Sequence, residues 1–422
     1  MKRFLALLAV ALIAVGCNKS GTNQNSTDMR ALNAVVDSEA VDVLVDADVK
    51  FANLAPNTST GYANFSSGGR EVLVRSATNQ ATLYDKTVQF NSDSRGTLLI
   101  YGHRSAMATL FLLDDTTAPT SGKARVRFVG LSVDTGAVDV YLTTTSALTG
   151  PAFVSVASVG APTAFGEITG GGYQVIVTTA GTQDVIFQST TAFNFQAGNN
   201  YTIAITPSLG GKLVNAAIIE PGTSGAITFL SNPISRVKAV NAIPDSNGLN
   251  FKADGTVILT AVPYTGVSSY VNSAGGSHNL AIEQSNVPGT NIATLTTTLA
   301  SARDYTLLAS GTVASPKLTL IPDDNSPPAI GNVKLRFVNA ISNSNVDALV
   351  NFASQAQGIA PNSASSYYTV AANTNYTITF TTPGGVNVIA SLTAVELDAG
   401  NVYTAYVFGT TSNAQAKLVR DR

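Results

Sequence analysis

Beyond residue 28, apolar and polar residues alternate in short runs broken by Gly, Asn, Asp and Pro. In Arg125-Val126-Arg127-Phe128 the two apolar side chains fall on one side of an extended chain and the two arginines on the other. That period of two predicts half-buried strands. No segment beyond the N-terminus holds apolar residues at helical spacing. Short strands with turn signals about every ten residues predict a β-sandwich. About seven strands per unit make an immunoglobulin-like arrangement the first expectation. A propeller with two blades per repeat is the alternative, but each repeat would then have to split into similar halves, and no such split is visible.

The pattern recurs four times. The opening runs are Met29-Arg30-Ala31-Leu32-Asn33, Val126-Arg127-Phe128-Val129-Gly130, Val237-Lys238-Ala239-Val240-Asn241 and Leu335-Arg336-Phe337-Val338-Asn339. With Asn33, Gly130, Asn241 and Asn339 taken as equivalent, the steps are 97, 111 and 98 residues. A second strand follows in each copy: Val41-Asp42-Val43, Val138-Asp139-Val140, Leu249-Asn250-Phe251 and Val346-Asp347-Ala348. An aromatic residue then precedes a Gly- or Asn-bearing turn, at Tyr62, Phe165, Tyr270 and Tyr367. Late in copies 2, 3 and 4 comes a strand led by Tyr201, Tyr305 or Tyr403. Copy 1 has Leu98-Leu99-Ile100-Tyr101-Gly102 there and diverges most.

Composition narrows the class. Charged residues make up 12% of the 422 and Trp is absent, while Thr and Gly are abundant. The charged share is about half of the usual one. A formal charge of −2 argues against nucleic acid as a partner, since phosphate backbones select basic surfaces. One cysteine excludes an internal disulfide, so each copy must stand on its apolar core.

That cysteine has a place of its own. Met1-Lys2-Arg3 is basic, Phe4 to Val15 is unbroken apolar sequence, and Ala14-Val15-Gly16-Cys17 closes it. The apolar run is shorter than the roughly 20 residues a spanning helix needs and has the length of a signal-peptide core. The tetrapeptide resembles the lipobox of bacterial lipoproteins, although Ala14 stands where Leu is usual. That resemblance implies cleavage before Cys17, lipid attachment to it, and export. The polar stretch Asn18 to Thr27 reads as a flexible tether. Asn18 is not the Asp that tends to retain lipoproteins at the inner membrane, so the outer membrane is the expected site, with the protein facing the periplasm or the cell surface.

Candidate chemistry is sparse. His103 and His278 lie in different copies, without zinc-ligand spacing. No Gly-x-Ser-x-Gly elbow or phosphate loop is present. Gly275-Gly276-Ser277-His278 places Ser beside His on a tight turn, where the two side chains diverge. Gly170-Gly171-Gly172 reads as a hairpin turn. The recurrent acids Asp42, Asp139 and Asp347 have no second carboxylate fixed beside them, and a structural role is expected, with Arg127 and Asp139 as the pair to test. The junctions carry Asp114-Asp115 and Asp323-Asp324. Such oxygen-rich residues are calcium candidates; a solvated, proline-stiffened linker is the simpler reading. No cofactor is expected.

The strand signatures resemble the family catalogued as domain of unknown function 4397, most closely at Arg125 to Val129, Val138-Asp139-Val140-Tyr141 and Gly198-Asn199-Asn200-Tyr201-Thr202. Copy 4 is close, at Lys334 to Ala340, Val346-Asp347 and Gly400 to Thr404, and copies 1 and 3 are weaker. The resemblance covers nearly all of the chain beyond residue 28. It implies a secreted or surface-attached bacterial protein and carries no established activity.

The expected organisation is a signal peptide over 1–16, a lipidated Cys17 and tether over 17–28, and sandwiches over 29–118, 122–229, 233–326 and 331–422. The four would form a short rod. The expected function is a non-enzymatic envelope lipoprotein, held to the membrane by its lipid, that binds a protein or glycan. The alternatives are an enzyme acting on envelope polymers and a purely structural spacer.

Overall fold

The computed structural model describes residues 25–148, 150–208, 211–221, 227–329 and 331–422. Cys17, the signal segment and most of the tether lie outside the described residues. Among the described residues there are strands, turns and loops but no helix.

Each copy is built from two facing sheets. In copy 3, one sheet has the order Val271–Ala274, Ile234–Asn241, Asp304–Thr312, Ser315–Asp323, and the other Thr256–Val262, Leu249–Ala253, Gly276–Gln284, Asn291–Leu299. With strands lettered a to h along the copy, these are d-a-g-h and c-b-e-f, and copies 1, 2 and 4 share both orders, with one additional short strand in copies 1 and 4 and two in copy 2. The sandwich expectation holds. The connectivity is more specific than expected, because the opening strand a runs parallel to strand g (Lys238 beside Thr306) while its other neighbours are antiparallel. This order differs from the ABED and CFG sheets of an immunoglobulin constant domain, so the likeness lies in the two-layer architecture.

The inward side chains of the two sheets form one apolar cluster per copy. Copy 2 packs Val126, Phe128, Val140, Val175, Val177, Phe187 and Phe195 together, and copy 4 packs Leu335, Phe337, Ala348, Ile378 and Phe380. The b–c hairpins of copies 1, 3 and 4 turn on two residues with positive φ: Asp46-Ala47, Asp254-Gly255 and Asn351-Phe352. This backbone matches the twist of the flanking strands. Copy 2 instead has a longer b–c connection, between Val138–Thr143 and Val154–Val156, and an added edge strand, Ile227–Leu230. These two insertions explain the longer step from copy 2 to copy 3.

The recurrent residues have local reasons. Asn33, Asn241 and Asn339 are fully buried. Each accepts the N–H two residues on, at Val35, Ile243 or Ile341, and donates to a carbonyl on strand c or just after it, at Leu54, Val262 or Ile359. A single side chain thus closes a turn and ties the two sheets together. In copy 2 the equivalent Gly130 lies so close to Val156 that an added Cβ would crowd it. The tyrosines leading strand g accept a backbone N–H five residues back: Gln196 to Tyr201, Ala300 to Tyr305 and Asp398 to Tyr403.

The recurrent acids are bulge caps. Strand c slips register against strand b in copies 1, 3 and 4. There it turns through positive φ at Asn53, Ala261 and Gly358. The freed N–H groups are accepted by Asp42 at 2.9 Å, Asn250 at 2.9 Å and Asp347 at 2.7 Å. Asp347 also accepts from the Gly384 N–H at 2.8 Å, and Asp139 accepts from the Gly181 N–H at 2.8 Å and from Ser155. The expected Arg127–Asp139 pair is not formed. The two side chains serve different sheets, and Arg127 bonds elsewhere, as described below.

Asp347→Ala leaves two sheltered N–H groups without their acceptor, at about 1–3 kcal/mol. Thermal melting is expected to show the loss. Asp347→Asn, which reproduces the residue native to copy 3, is expected to melt nearer to the parent. Equal losses in the two variants would refute the capping role.

Candidate functional site

The alternation in the opening strands predicts one buried face and one wet face. In copies 3 and 4 both faces are buried: every residue from Ser235 to Asn241 and from Val333 to Asn339 is shielded. The covering surface is the neighbouring copy. Leu32, Ala34, Leu99 and Leu112 of copy 1 pack on Val129, Leu131, Ala204, Ala217 and Ile219 of copy 2. Val240, Ala242, Leu308 and Ile321 of copy 3 pack on Val338, Ala340, Tyr406 and Phe408 of copy 4. Copies 1 and 2, and copies 3 and 4, therefore meet sheet face to sheet face, and the end-to-end rod expected from the repeats is not what forms. Gly160, with φ +72, allows the closest approach, since a Cβ there would collide with the hydroxyl of Tyr101 across the seam.

At the rim of each apolar seam sits a cation three residues before the shared Asn or Gly position. Arg30 donates from Nε to Thr97 at 2.9 Å and from Nη2 to the Glu220 carbonyl of copy 2 at 3.1 Å. Arg127 answers from copy 2, donating to Thr202 at 2.9 Å and to the Leu113 carbonyl of copy 1 at 2.8 Å. Arg336 repeats this with Thr404 at 3.0 Å and the Pro322 carbonyl of copy 3 at 3.0 Å, and adds an ion pair to Asp323. Lys238 is the fourth member and pairs with Asp421 of copy 4. The seams are thus reciprocal: each copy reaches for the end of its neighbour's strand h.

The recurrent aromatics are platforms for these cations. Arg30 and Arg95 lie 4.8 and 4.9 Å from the Tyr62 ring centre, and Arg125 and Arg127 lie 4.3 and 4.6 Å from Phe165. Arg236 and Lys238 flank Tyr270 at 5.0 and 5.1 Å, and Lys334 and Arg336 flank Tyr367 at 5.0 and 4.9 Å. The ring quadrupole favours a cation in this range, more strongly where water is excluded.

The structure assigns the four calcium candidates to other work. Asp323 is not in a solvated linker: its side chain is fully buried. It accepts from Arg336, Tyr270 and, at 2.8–2.9 Å, Thr306. Burial would raise its pKa, but Arg336 and Lys238 hold it below the usual carboxylate value. Burial likewise opposes the charge on Lys238, and Tyr406, Asp421 and Asp323 reverse that effect. Asp324 pairs with Lys334 at 2.8 Å. Asp115 pairs with Arg125 at 3.2 Å, and Asp114 accepts from the Tyr62 hydroxyl at 2.6 Å. Among the described residues no three His, Cys, Asp or Glu side chains are placed to hold a metal ion.

His103 of copy 1 bridges the first seam, 2.8 Å from Asp134 of copy 2 and 3.3 Å from Asp37 of its own copy. Those two carboxylates push its pKa up to about 10 against the opposing effect of burial. His278 is engaged by Asp254 at 2.7 Å and by the Ala274 carbonyl at 2.9 Å rather than by the adjacent Ser277.

One large recess opens at the rim of the first seam. It has a volume of about 670 Å³ and is lined by Asp28, Arg95, Asp114 and Asp115 of copy 1 and its junction and by Asn199 and Asn200 of copy 2. Asp28 and Arg95 form an ion pair at 2.7 Å across one wall. The side-chain amide of Asn200 donates to the carbonyls of Asp115 and Thr117, and its Oδ1 has no partner although the residue is 8% exposed.

A β-sandwich whose copies are welded through arginine-rimmed seams is the class these features define. The chain belongs to the family described as domain of unknown function (DUF4397), whose model matches residues 27–141 and 235–345, together more than half of the chain. Each matched stretch begins at an opening strand, in copies 1 and 3, and runs on into the following copy. No curated protein matches. Among solved structures, the chain is similar to the CBMbc module (family CBM26) from Eubacterium rectale Amy13K in complex with maltoheptaose. The identity is 8%, over 47% of this chain and 99% of that one, with a TM-score of 0.16. It is also similar to the Bacillus anthracis TIE protein, at 8% identity over 88% of this chain and 68% of that one, again with a TM-score of 0.16.

Arg336→Met strips Asp323 of its main cation, and breaking a buried pair in this way costs about 3–5 kcal/mol. The double variant Arg336→Met with Asp323→Leu is expected to melt well above the single one; equal melting would show that the pair is unimportant. At His103 the folded pKa is raised above the ordinary value of 6.5. Its contribution is therefore complete below about pH 6.5, shrinks as pH rises, and is gone above about pH 10. Melting of the parent should fall across that window more steeply than melting of His103→Gln. Parallel curves would exclude the bridge.

Proposed function

We propose that the protein is a non-enzymatic lipoprotein of the bacterial cell envelope, anchored through Cys17 at the outer membrane, that presents paired β-sandwiches to a protein or glycan partner. The observation that carries this reading is where the ionisable groups go. The buried cations and acids bind one another, backbone carbonyls and aromatic rings inside the seams, so few remain for acid–base chemistry in an open cleft. The outward c-b-e-f sheets support a role in contact. Their edge strands alternate exposed and covered side chains, as at Thr294, Thr296 and Thr298 on Asn291–Leu299. A rigid scaffold that holds loops and edges clear of its own core suits binding. The N-terminal sequence supports the anchor: two or more acyl chains hold a protein stably, whereas one does so only marginally.

The test uses intact cells. The parent protein is expected in the membrane fraction, and Cys17→Ser in the soluble fraction of the envelope. Cross-linking followed by purification is expected to recover a defined envelope component with the parent. Retention of Cys17→Ser in the membrane fraction would overturn the anchor. Turnover of an envelope polymer by the purified protein would overturn the non-enzymatic reading in favour of an enzyme.

A further inference from the structure

The two seams hold four equivalent meetings between the cation of strand a and the neighbour's chain just past strand h. Strand pairing sets Thr97, Thr202, Thr306 and Thr404 beside Leu112, Ile219, Ile321 and Val419. Two residues further on, Asp114, Pro221, Asp323 and Asp421 therefore correspond. Arg30 and Arg127 take backbone carbonyls next to Pro221 and Asp114, and Arg336 takes the Asp323 carboxylate. Copy 3 alone brings an amine to this place, where Lys238 meets Asp421. A guanidinium is delocalised and stays protonated, whereas a buried lysine can give up its proton and become a nucleophile.

The pair sits in an enclosure equipped for more than a salt bridge. Lys238 Nζ touches Asp421 Oδ1 and lies 4.0 Å from Asp323 Oδ2, and all three side chains are buried. Asp421 Oδ2 accepts from the Thr404 hydroxyl at 2.5 Å. The rings of Tyr270 and Tyr406 stand 5.1 and 5.9 Å from the nitrogen. The Tyr406 hydroxyl is buried without a hydrogen-bond partner and feels the charges of both Lys238 and Asp421.

We infer that Lys238 and Asp421 condense spontaneously into an isopeptide bond that joins copies 3 and 4 covalently. Both charges are dehydrated, and passing the ammonium proton to Asp421 Oδ1 removes the two at once. The neutral Nζ then adds to Cγ, and the C–N bond forms. Asp323, which despite its burial is held as a carboxylate by Arg336 and Lys238, takes a proton from the nitrogen and delivers it to the departing Oδ1 hydroxyl. The C–O bond breaks and one water leaves. Thr404 donates to Oδ2, the oxygen that carries charge in the tetrahedral intermediate, and a donor already in place there lowers the barrier. Reactants held in contact behave as if present at about 10⁵–10⁸ M, and exclusion of bulk water opposes the reverse hydrolysis. The bond closes a loop between residues 183 apart in sequence, so the seam between copies 3 and 4 could not come apart even in denaturant.

The bond is independent of the anchor and of any partner. The full exported chain, purified after folding and then denatured, is measured by intact-mass spectrometry. A mass one water below that of the sequence is expected, with a branched proteolytic peptide joining Lys238 to Asp421. Lys238→Arg, which installs the residue type of the other three copies, is expected to keep the full mass, as is Asp421→Ala. Asp323→Asn is expected to form the branch at least about a hundredfold more slowly, followed as branched fraction against time after refolding. Melting curves check that these variants are folded. A parent chain at full sequence mass, with an unbranched Lys238 peptide, would overturn the proposal whatever the variants do. Water loss that persists in Lys238→Arg would place the dehydration elsewhere and overturn it equally.

Discussion

A cation on the seam-facing side of strand a determines how the copies meet. Taking a guanidinium out of water is unfavourable unless its donors find acceptors and its charge finds a partner. Arg30, Arg127 and Arg336 meet this condition in the same way, with a threonine hydroxyl of their own sheet and a carbonyl at the end of the neighbour's strand h. The carbonyl lies at one place on the partner, so the bond sets the sliding register of two faces that the apolar contacts alone would leave loosely specified. The aromatic beneath each cation limits the directions it can take.

The same logic explains the acids. In a chain only 12% charged, Asp42, Asp139 and Asp347 are each matched to N–H groups that a bulge or a loop has released, and Asp323 to a cation that the seam has dehydrated. Copy 3 is informative because Asn250 stands where the others have Asp: its Oδ1 caps the Ala261 N–H while its amide donates to Glu283. The geometry at this position therefore requires an oxygen, and a charge is optional.

Strands and repeats were legible in the residues because a two-residue period and a recurring Asn or Tyr leave marks that need no partner to be seen. The sandwich followed from them. The strand order did not, since parallel pairing of the opening strand with the penultimate one depends on contacts some 65–75 residues apart in sequence. The seams were half visible. Arg30, Arg127, Lys238 and Arg336 recur at one position and Tyr62, Phe165, Tyr270 and Tyr367 at another, but a polar residue alternating with apolar ones reads as facing water. Only the facing copy shows that it does not. For the same reason Asp323, between Pro322 and Asp324 in a junction, looked solvated and is instead sealed.

Face-to-face pairing has a consequence for how such chains can lengthen or shorten. A copy added or removed singly would leave one d-a-g-h face, with its leucines, alanines and unmatched arginine, open to solvent, and apolar patches of that kind draw chains together. In this geometry the unit that closes its own apolar face is the couple and not the single sandwich. A couple added whole would cover its own faces, whereas an odd copy would be left to find its mate on another chain.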